Sequence, residues 1–209
     1  MKAKAIAEQL DALAAPSYRV TLMRNVDGDQ VGQNLGKRED GPEKFWSRNE
    51  IMAMIPKLTA QNAQGANVFI TPIDASTRHV LVDDLSHDDV MTLAKRSYQP
   101  ATITKTSPGN YQAVVKVSAE LEEHATNEWF KALNRDLGDE KITGLRHPFR
   151  LAGFQNRKDK HEQPGGRFPF VEVVHAVNQF CETARRVITE MAKQFRQDEP
   201  PSPPLSGPR

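Results

Sequence analysis

One cysteine, Cys181, is all the thiol chemistry this chain carries. An internal disulfide and a cysteine-rich zinc site are thereby excluded, which fits a reducing compartment. Long apolar runs are missing too. Nothing approaches the roughly 18 apolar residues of a membrane span, and no apolar signal core follows Met1. A cytoplasmic protein with no membrane partner is the expectation. The histidines His79, His87, His124, His147, His161 and His175 include no pair at a close metal-ligand spacing such as His-x-His. A histidine-coordinated relaxase or rolling-circle nuclease site is therefore disfavoured. No internal repeat is visible, and net charge is scarce at +1.

That small net charge hides an uneven distribution. Met1 to Glu140 holds 16 Lys and Arg against 20 Asp and Glu, whereas Lys141 to Arg167 holds 7 against 2. The second segment can face phosphates. With 209 residues the chain is long enough to bury a core as one domain with a short appendage.

Ile6, Leu10 and Leu13 stand at helical spacing in Ala3 to Ala14, and Pro16 cannot continue that helix. Tyr18, Val20 and Leu22 alternate with polar residues as a strand. Asn25 to Lys44 reads as a hairpin or a long loop. Ser47 with Glu50 is a capping-box pattern ahead of Ile51, Met54, Ile55 and Leu58, with a break expected at Pro56. Asn67 to Ile73 and Arg78 to Val82 are short β-branched runs that look like consecutive, paired strands. Ser86 with Asp89 caps a helix over Asp88 to Arg96.

Strands are expected at Thr102 to Lys105 and Tyr111 to Val117, joined by the turn Ser107-Pro-Gly-Asn110. Ala119 to Leu133 follows as a helix, and Phe170 to Val174 as a last strand. The strongest amphipathic pattern runs from His175 to Gln197, with Val177, Phe180, Ala184, Val187, Ile188, Met191 and Phe195 on one stripe. The tail from Glu199 to Arg209 is rich in proline and is expected to be a linker rather than packed chain.

Two adjacent carboxylates, Asp83 and Asp84, close the run His79-Val-Leu-Val. Neighbouring aspartates at a strand end repel each other unless a cation or basic partner holds them. They are candidates for a metal-dependent nucleotidyl-transfer site; the plainer alternative is acids that stabilise the first turn of the following helix. Strand alternation points successive side chains to opposite faces, so both can serve one site only where the strand ends or twists. Asp139, after Gly138, can supply a third oxygen ligand or be an ordinary loop acid. Arg146, His147, Arg150, Asn156, Arg157, Lys158 and Lys160 form a dense set of phosphate-directed donors, with Phe149 and Phe154 interleaved.

Four segments carry a resemblance. They are Asn62-Ala-Gln-Gly65 with Val68-Phe-Ile-Thr-Pro72, Leu81-Val-Asp-Asp-Leu-Ser86, Ser107-Pro-Gly-Asn-Tyr-Gln-Ala-Val-Val-Lys-Val117, and Arg146-His-Pro-Phe-Arg through His161. In order and spacing, from about residue 15 to 175, they resemble the catalytic domain of the RepB-type replication primases of mobilisable plasmids. The resemblance implies an α+β fold of the archaeo-eukaryotic primase kind, with a mixed or antiparallel central sheet flanked by helices. Residues 1–175 would form the catalytic domain, 176–198 a C-terminal helix and 199–209 the proline-rich tail.

The resemblance also implies DNA primase activity, the synthesis of short primers on single-stranded DNA in plasmid or mobile-element replication. Asp83, Asp84 and Asp139 would hold Mg2+ or Mn2+, with Asp136 as an alternative third acid. Asn110, Gln112, Lys116, Arg146, His147, Arg150, Asn156, Lys158 and Lys160 would contact nucleotide or template. Partners would be an origin hairpin, nucleoside triphosphates and a replication helicase or initiator. Family members commonly continue into a helical-bundle domain, and Val114 replaces a larger aromatic. A non-catalytic single-strand or hairpin DNA-binding module is the competing reading, and a metal-dependent nuclease a third.

Overall fold

The computed structural model describes residues 1–37, 41–142 and 144–198; the proline-rich tail lies outside them. Six α-helices, eight strands and one 3-10 turn (Asp159–His161) are interspersed through these residues. In chain order they are α1 (Lys2–Leu13), β1 (Ser17–Val26), β2 (Asp29–Asn34), α2 (Arg48–Ala53), α3 (Ile55–Ala63), β3 (Asn67–Ile73) and β4 (Thr77–Leu85). There follow α4 (His87–Lys95), β5 (Thr102–Ser107), β6 (Asn110–Ser118), α5 (Glu123–Leu137), β7 (Phe149–Arg150), β8 (Glu172–Ala176) and α6 (Glu182–Asp198).

The strands form two four-stranded sheets, ordered β2-β1-β3-β7 and β4-β6-β5-β8. Every pairing in them is antiparallel. The α+β class expected from the sequence is the fold observed, with two antiparallel sheets in place of one central sheet. Local chemistry accounts for the connections. Asp27 and Gly28 both take positive φ (53° and 94°) at the β1–β2 turn, as a two-residue hairpin of right-handed strands requires. Both capping boxes are present. Ser86 Oγ accepts from the Asp89 amide at 3.2 Å, while Asp89 returns a carboxylate to the Ser86 amide at 2.9 Å.

Two expectations are corrected. β3 and β4 follow one another but do not pair. β3 lies between β1 and β7, and β4 pairs with β6 in the other sheet. Asp74 reverses the chain between them by accepting from the amides of Ser76 and Thr77. The last helix begins at Glu182 rather than His175, because His175 and Ala176 are captured as a strand by Ile103 and Thr102 of β5. Val177 and Phe180, expected on the buried stripe, are 45% and 54% exposed. Ala184 and Ile188 of that stripe do reach the core, Val187, Met191 and Phe195 pack against it, and Ala192 joins them. Pro56 behaves as expected and separates α2 from α3.

One apolar cluster unites the layers. Ile6 and Leu10 of α1, Val20 of β1, Ile70 of β3, Val80 and Val82 of β4, Val115 of β6, Phe130 of α5 and Ile188 of α6 all belong to it. Buried polar side chains then fix the ends of particular strands. Gln9 of α1 donates to the Arg150 carbonyl at 3.0 Å and accepts from the Ala152 amide at 2.7 Å, so the short edge strand β7 is held from below.

Asn134 of α5 donates to the Leu81 carbonyl at 3.0 Å and accepts from the Asp83 amide at 3.3 Å. Gly138 lets this helix end close against β4. A Cβ there would stand 2.6 Å from the Asp83 carbonyl oxygen and 2.8 Å from Asn134 Oδ1. Gly138→Ala is expected to lower stability by about 1–3 kcal/mol through overpacking, measured as a lower urea midpoint; an unchanged midpoint would show that β4 can move away freely.

Candidate active site

β4 does not run straight to its end. Its register against β6 shifts between Val82 and Leu85, and Asp84 takes the left-handed conformation at φ 54°. Aspartate tolerates that region better than most residues. The bulge answers the problem that alternation posed: it turns Asp83 and Asp84 into one cleft.

The cleft is built from both sheets. Phe69 of β3 and Arg150 of β7 come from the first, and Asp83, Asp84, Thr106, Asn110 and Gln112 come from the second. Asn156, Lys158, Lys160 and His161, in the chain after β7, close the rim. Gln112 joins the two sheets with a single amide. Its Nε2 donates to Asp83 Oδ1 at 2.8 Å, and its Oε1 accepts from the Arg150 amide at 3.1 Å. Asn110 donates to Asp84 Oδ1 at 3.0 Å. Asn156 is buried, donating to the Thr106 carbonyl at 2.9 Å.

Arg150 is the buried cation of the site, 4% exposed. Its Nη1 donates to Asn67 Oδ1 at 2.6 Å, and its guanidinium lies 4.8 Å from the centre of the Phe69 ring. Burial pulls it down to about 10 against the pull of Asp83 and Asp84, so it keeps its charge at neutral pH. Burial raises Asp83, partly offset by the Gln112 and Asp84 amide hydrogen bonds. Lys158 is lowered, first by partial desolvation in the cleft and then by the Arg150 and Lys160 charges. His161 is lowered by the same sequence of causes, desolvation and then Lys160 and Arg150. The cleft thus sets two acids against a row of cationic and neutral donors.

Several expected residues lie elsewhere. Lys116 is not in the cleft. It pairs in register with His79, its Nζ donates to Asn178 Oδ1 at 2.6 Å and it lies 5.2 Å from the Phe180 ring centre. Four residues of strand separate it from Gln112, about 13 Å. Arg146 and His147 line a second groove beside β3, β4 and α5. Arg157 stacks on Phe168, 4.0 Å from the ring centre, and gives its backbone amide to Asn67 Oδ1.

Asp139 adjoins Asp83 through the backbone, its amide donating to the Asp83 carbonyl at 3.0 Å, while its carboxylate accepts from the Lys141 amide at 2.9 Å. Asp136 is paired with Arg96. Among the described residues no group of three or more His, Cys, Asp or Glu side chains is gathered closely enough to hold a metal ion. Asp83 and Asp84 come together without a third acid.

The sequence reading passed over Gln9, Asn67, Asn134 and His161. A polar residue at the start of a strand or inside a helix stripe carries no period of its own, and only the tertiary contacts give it a role. His161 closes the basic segment that carries the resemblance, where no residue pattern assigns it a role.

The comparisons with known proteins give the chain's lineage. The chain is 33% identical over 191 residues to a protein of Acidithiobacillus ferrooxidans named DNA primase, covering 90% of this chain and 54% of the relative. It is 30% identical over 197 residues to mobilization protein A of Escherichia coli, covering 93% and 26%. It therefore spans about half of one curated relative and a quarter of the other. Among solved structures it matches the catalytic domain of primase RepB' in complex with initiator DNA, with a TM-score of 0.76 at 28% identity over 94% of this chain and 96% of that one.

The archaeo-eukaryotic primase domain of the cyanophage S-2L primase-polymerase matches at a TM-score of 0.54 and 13% identity, over 88% and 92% of the two chains, a likeness of fold. The model of the RepB DNA-primase N-terminal domain matches residues 11–198. With its two sheets, its paired aspartates and nearly its whole described length inside that match, the chain belongs to the RepB DNA-primase N-terminal domain family.

Proposed function

We propose that the chain is the nucleotidyl-transfer module of a DNA primase that builds short primers on single-stranded DNA in plasmid replication. The observation that carries this reading is the cleft in which Asp83 and Asp84 face Arg150, Lys158, Lys160 and His161. Carboxylates opposite phosphate-directed cations are what transfer of a nucleotidyl group asks for: the acids serve the reacting oxygens and the cations serve the triphosphate.

The acids fit a divalent cation. The hydrogen bonds from Gln112, Asn110 and the Asp84 amide all fall on Oδ1 atoms, which leaves the Oδ2 of each aspartate for a hard, oxygen-seeking ion. Asp83 and Asp84 would hold Mg2+ or Mn2+, with Asp139 joining through a movement of its side chain. The ion supplies charge neutralisation at the reacting phosphate and activation of the attacking hydroxyl.

The protein's own part is orientation. Arg150 is immobilised by Asn67, Phe69 and Gln9, so it presents a fixed charge to the leaving pyrophosphate. Lys158 and Lys160 on the rim add mobile charge. Gln112 holds Asp83 while tying it to the backbone of Arg150, so the acid is anchored to the strand that carries the cation. The 3′ oxygen bonds to the α-phosphorus and the bond from that phosphorus to the bridging oxygen breaks. Pyrophosphate leaves with the electron pair, and the hydroxyl proton passes to solvent.

A non-catalytic single-strand or hairpin DNA-binding module is the second reading, and the cleft lining, in which Asp83 and Asp84 are the only acids among the described residues, favours it. The experiment that separates the two is incorporation of labelled nucleotide on unprimed single-stranded DNA with Mg2+ or Mn2+, wild type against Asp83→Ala. Metal-dependent product, lost in the variant, is expected. Salt-sensitive DNA binding without product would establish the binding module.

Lys158→Ala is expected to raise the KM for incoming nucleotide by about tenfold, the scale of one charge-assisted contact; an unchanged KM would remove Lys158 from the triphosphate.

Asp83 also makes a pH-dependent contribution to stability. Burial raises it above its unfolded value, so its contribution is present in acid and is lost as the pH rises through the folded pKa. Asp83→Asn keeps the shape without the charge. It is expected to raise Tm at neutral pH and to change it little in acid, below the unfolded aspartate pKa. An equal rise at both pH values would show that ionisation of Asp83 is not the cause.

A further inference from the structure

Pyrophosphate is a basic leaving group, and the reaction above gives it no proton. Among the residues that line the cleft there is one histidine, His161, and it shares a single turn of chain with Lys158 and Lys160.

That turn presents the three side chains together. It is closed by the His161 amide donating to the Lys158 carbonyl and the Glu162 amide donating to the Asp159 carbonyl, both at 2.9 Å. Lys158, Lys160 and His161 line the cleft, and Asp159 between them does not. Its carboxylate is taken by Asn25 of β1, whose Nδ2 donates at 2.6 Å. The β1–β2 hairpin thus engages the acid of the turn, and the two amines and the imidazole are left for the phosphate side.

Proton chemistry separates these three. A lysine amine ordinarily gives up its proton at about pH 10.4 and a histidine imidazolium at about 6.5. A general acid works best with its pKa near the working pH, where it both holds a proton and parts with it readily. Arg150 is a poorer donor still, because its guanidinium keeps its protons and its Nη1 is committed to Asn67. Thr106, Asn110, Gln112 and Asn156 complete the polar lining and release no proton near neutrality. His161 is the group left for the task.

The charges around the ring decide when it carries the proton. Among the protein's own groups, burial and then Lys160, Arg150 and Lys158 hold the imidazole below its ordinary value, with Asp84 of β4 pulling the other way. A triphosphate seated among those cations brings charge of opposite sign, which favours the imidazolium. Protonation of the ring and binding of the nucleotide therefore support each other.

Resting on the primase reading, we propose that His161 is the general acid of nucleotidyl transfer. As the bond from the α-phosphorus to the bridging oxygen breaks, that oxygen takes the electron pair and accepts the proton of the imidazolium, and the neutral imidazole regains a proton from solvent. Lys158 binds the triphosphate, and His161 lets its pyrophosphate go.

Varying the leaving group tests this. Incorporation on unprimed single-stranded DNA is measured with Mg2+ or Mn2+ and enzyme in excess over template. The nucleotides are supplied as triphosphates, as β,γ-methylene analogues or as β,γ-difluoromethylene analogues. The fluorines make the departing group less basic, so it needs less help from an acid. His161→Gln keeps a hydrogen-bond donor but transfers no proton. It is expected to slow incorporation from saturating triphosphates by about 100-fold, to change their KM by less than about threefold, and to recover most of the loss with the difluoromethylene analogues. Lys158→Ala is expected to raise KM and to keep the wild-type dependence on the leaving group.

A saturated rate within about threefold of wild type, or an equal loss with every leaving group, overturns the assignment and leaves the primase reading standing. Wild type answers without a variant as well. Its saturated rate is expected to fall at alkaline pH more steeply with the methylene than with the difluoromethylene analogues, and parallel profiles also overturn the assignment. If wild type incorporates nothing with either metal, the primase reading falls and the role of His161 falls with it.

Discussion

One side-chain amide sets the geometry on which the site depends. Gln112 donates to the Asp83 carboxylate with its nitrogen and accepts from the Arg150 backbone with its oxygen, so a single planar group spans two antiparallel sheets that share no ladder. An amide can satisfy both partners at once because it carries donor and acceptor on one rigid plane. A glutamate there would repel Asp83, and an apolar side chain would leave the Arg150 amide unpaired in a buried place, at a cost of about 1–3 kcal/mol. Asp83 is therefore tied to the backbone of the strand that carries the cation, while Asn67 holds the guanidinium itself.

Around that link the fold fixes position with buried polar contacts and leaves energy to the apolar cluster. Gln9 holds β7, Asn67 holds Arg150, and Asn134 holds the end of β4. Each lies on a different element; Gln9 and Asn134 supply hydrogen bonds that an edge or a strand end would otherwise lack, and Asn67 fixes the guanidinium. The consequence is an electrostatic arrangement assembled before any ligand arrives. A raised Asp83 and a lowered Arg150 both carry a cost of desolvation, and phosphate and cation would relieve it.

The family match and the local geometry say different things, and both are needed. The match covers residues 11–198 and gives lineage. The geometry shows that the basic segment, continuous in sequence, is divided in space. Arg150, Asn156, Lys158 and Lys160 turn into the acid cleft, whereas Arg146 and His147 face the groove along β4. The division falls where Phe149 pairs with Ile70 of β3, since that strand carries the chain across from one hollow to the other.

By itself the sequence determined what depends on neighbours along the chain. Both capping boxes, the Pro56 break, the β5–β6 turn and the paired aspartates were legible because each is a short-range pattern with a physical cause. The resemblance, carried by contiguous segments, was legible for the same reason. Tertiary structure alone decided the rest. The separation of β3 from β4 and the capture of His175 and Ala176 by β5 are competitions between local preference and long-range pairing, and no window of sequence contains both competitors. The bulge that brings Asp84 beside Asp83 depends on β6, the distance of Lys116 from the cleft on how far β6 runs, and the links through Gln9, Asn67, Gln112 and Asn134 on contacts across the fold.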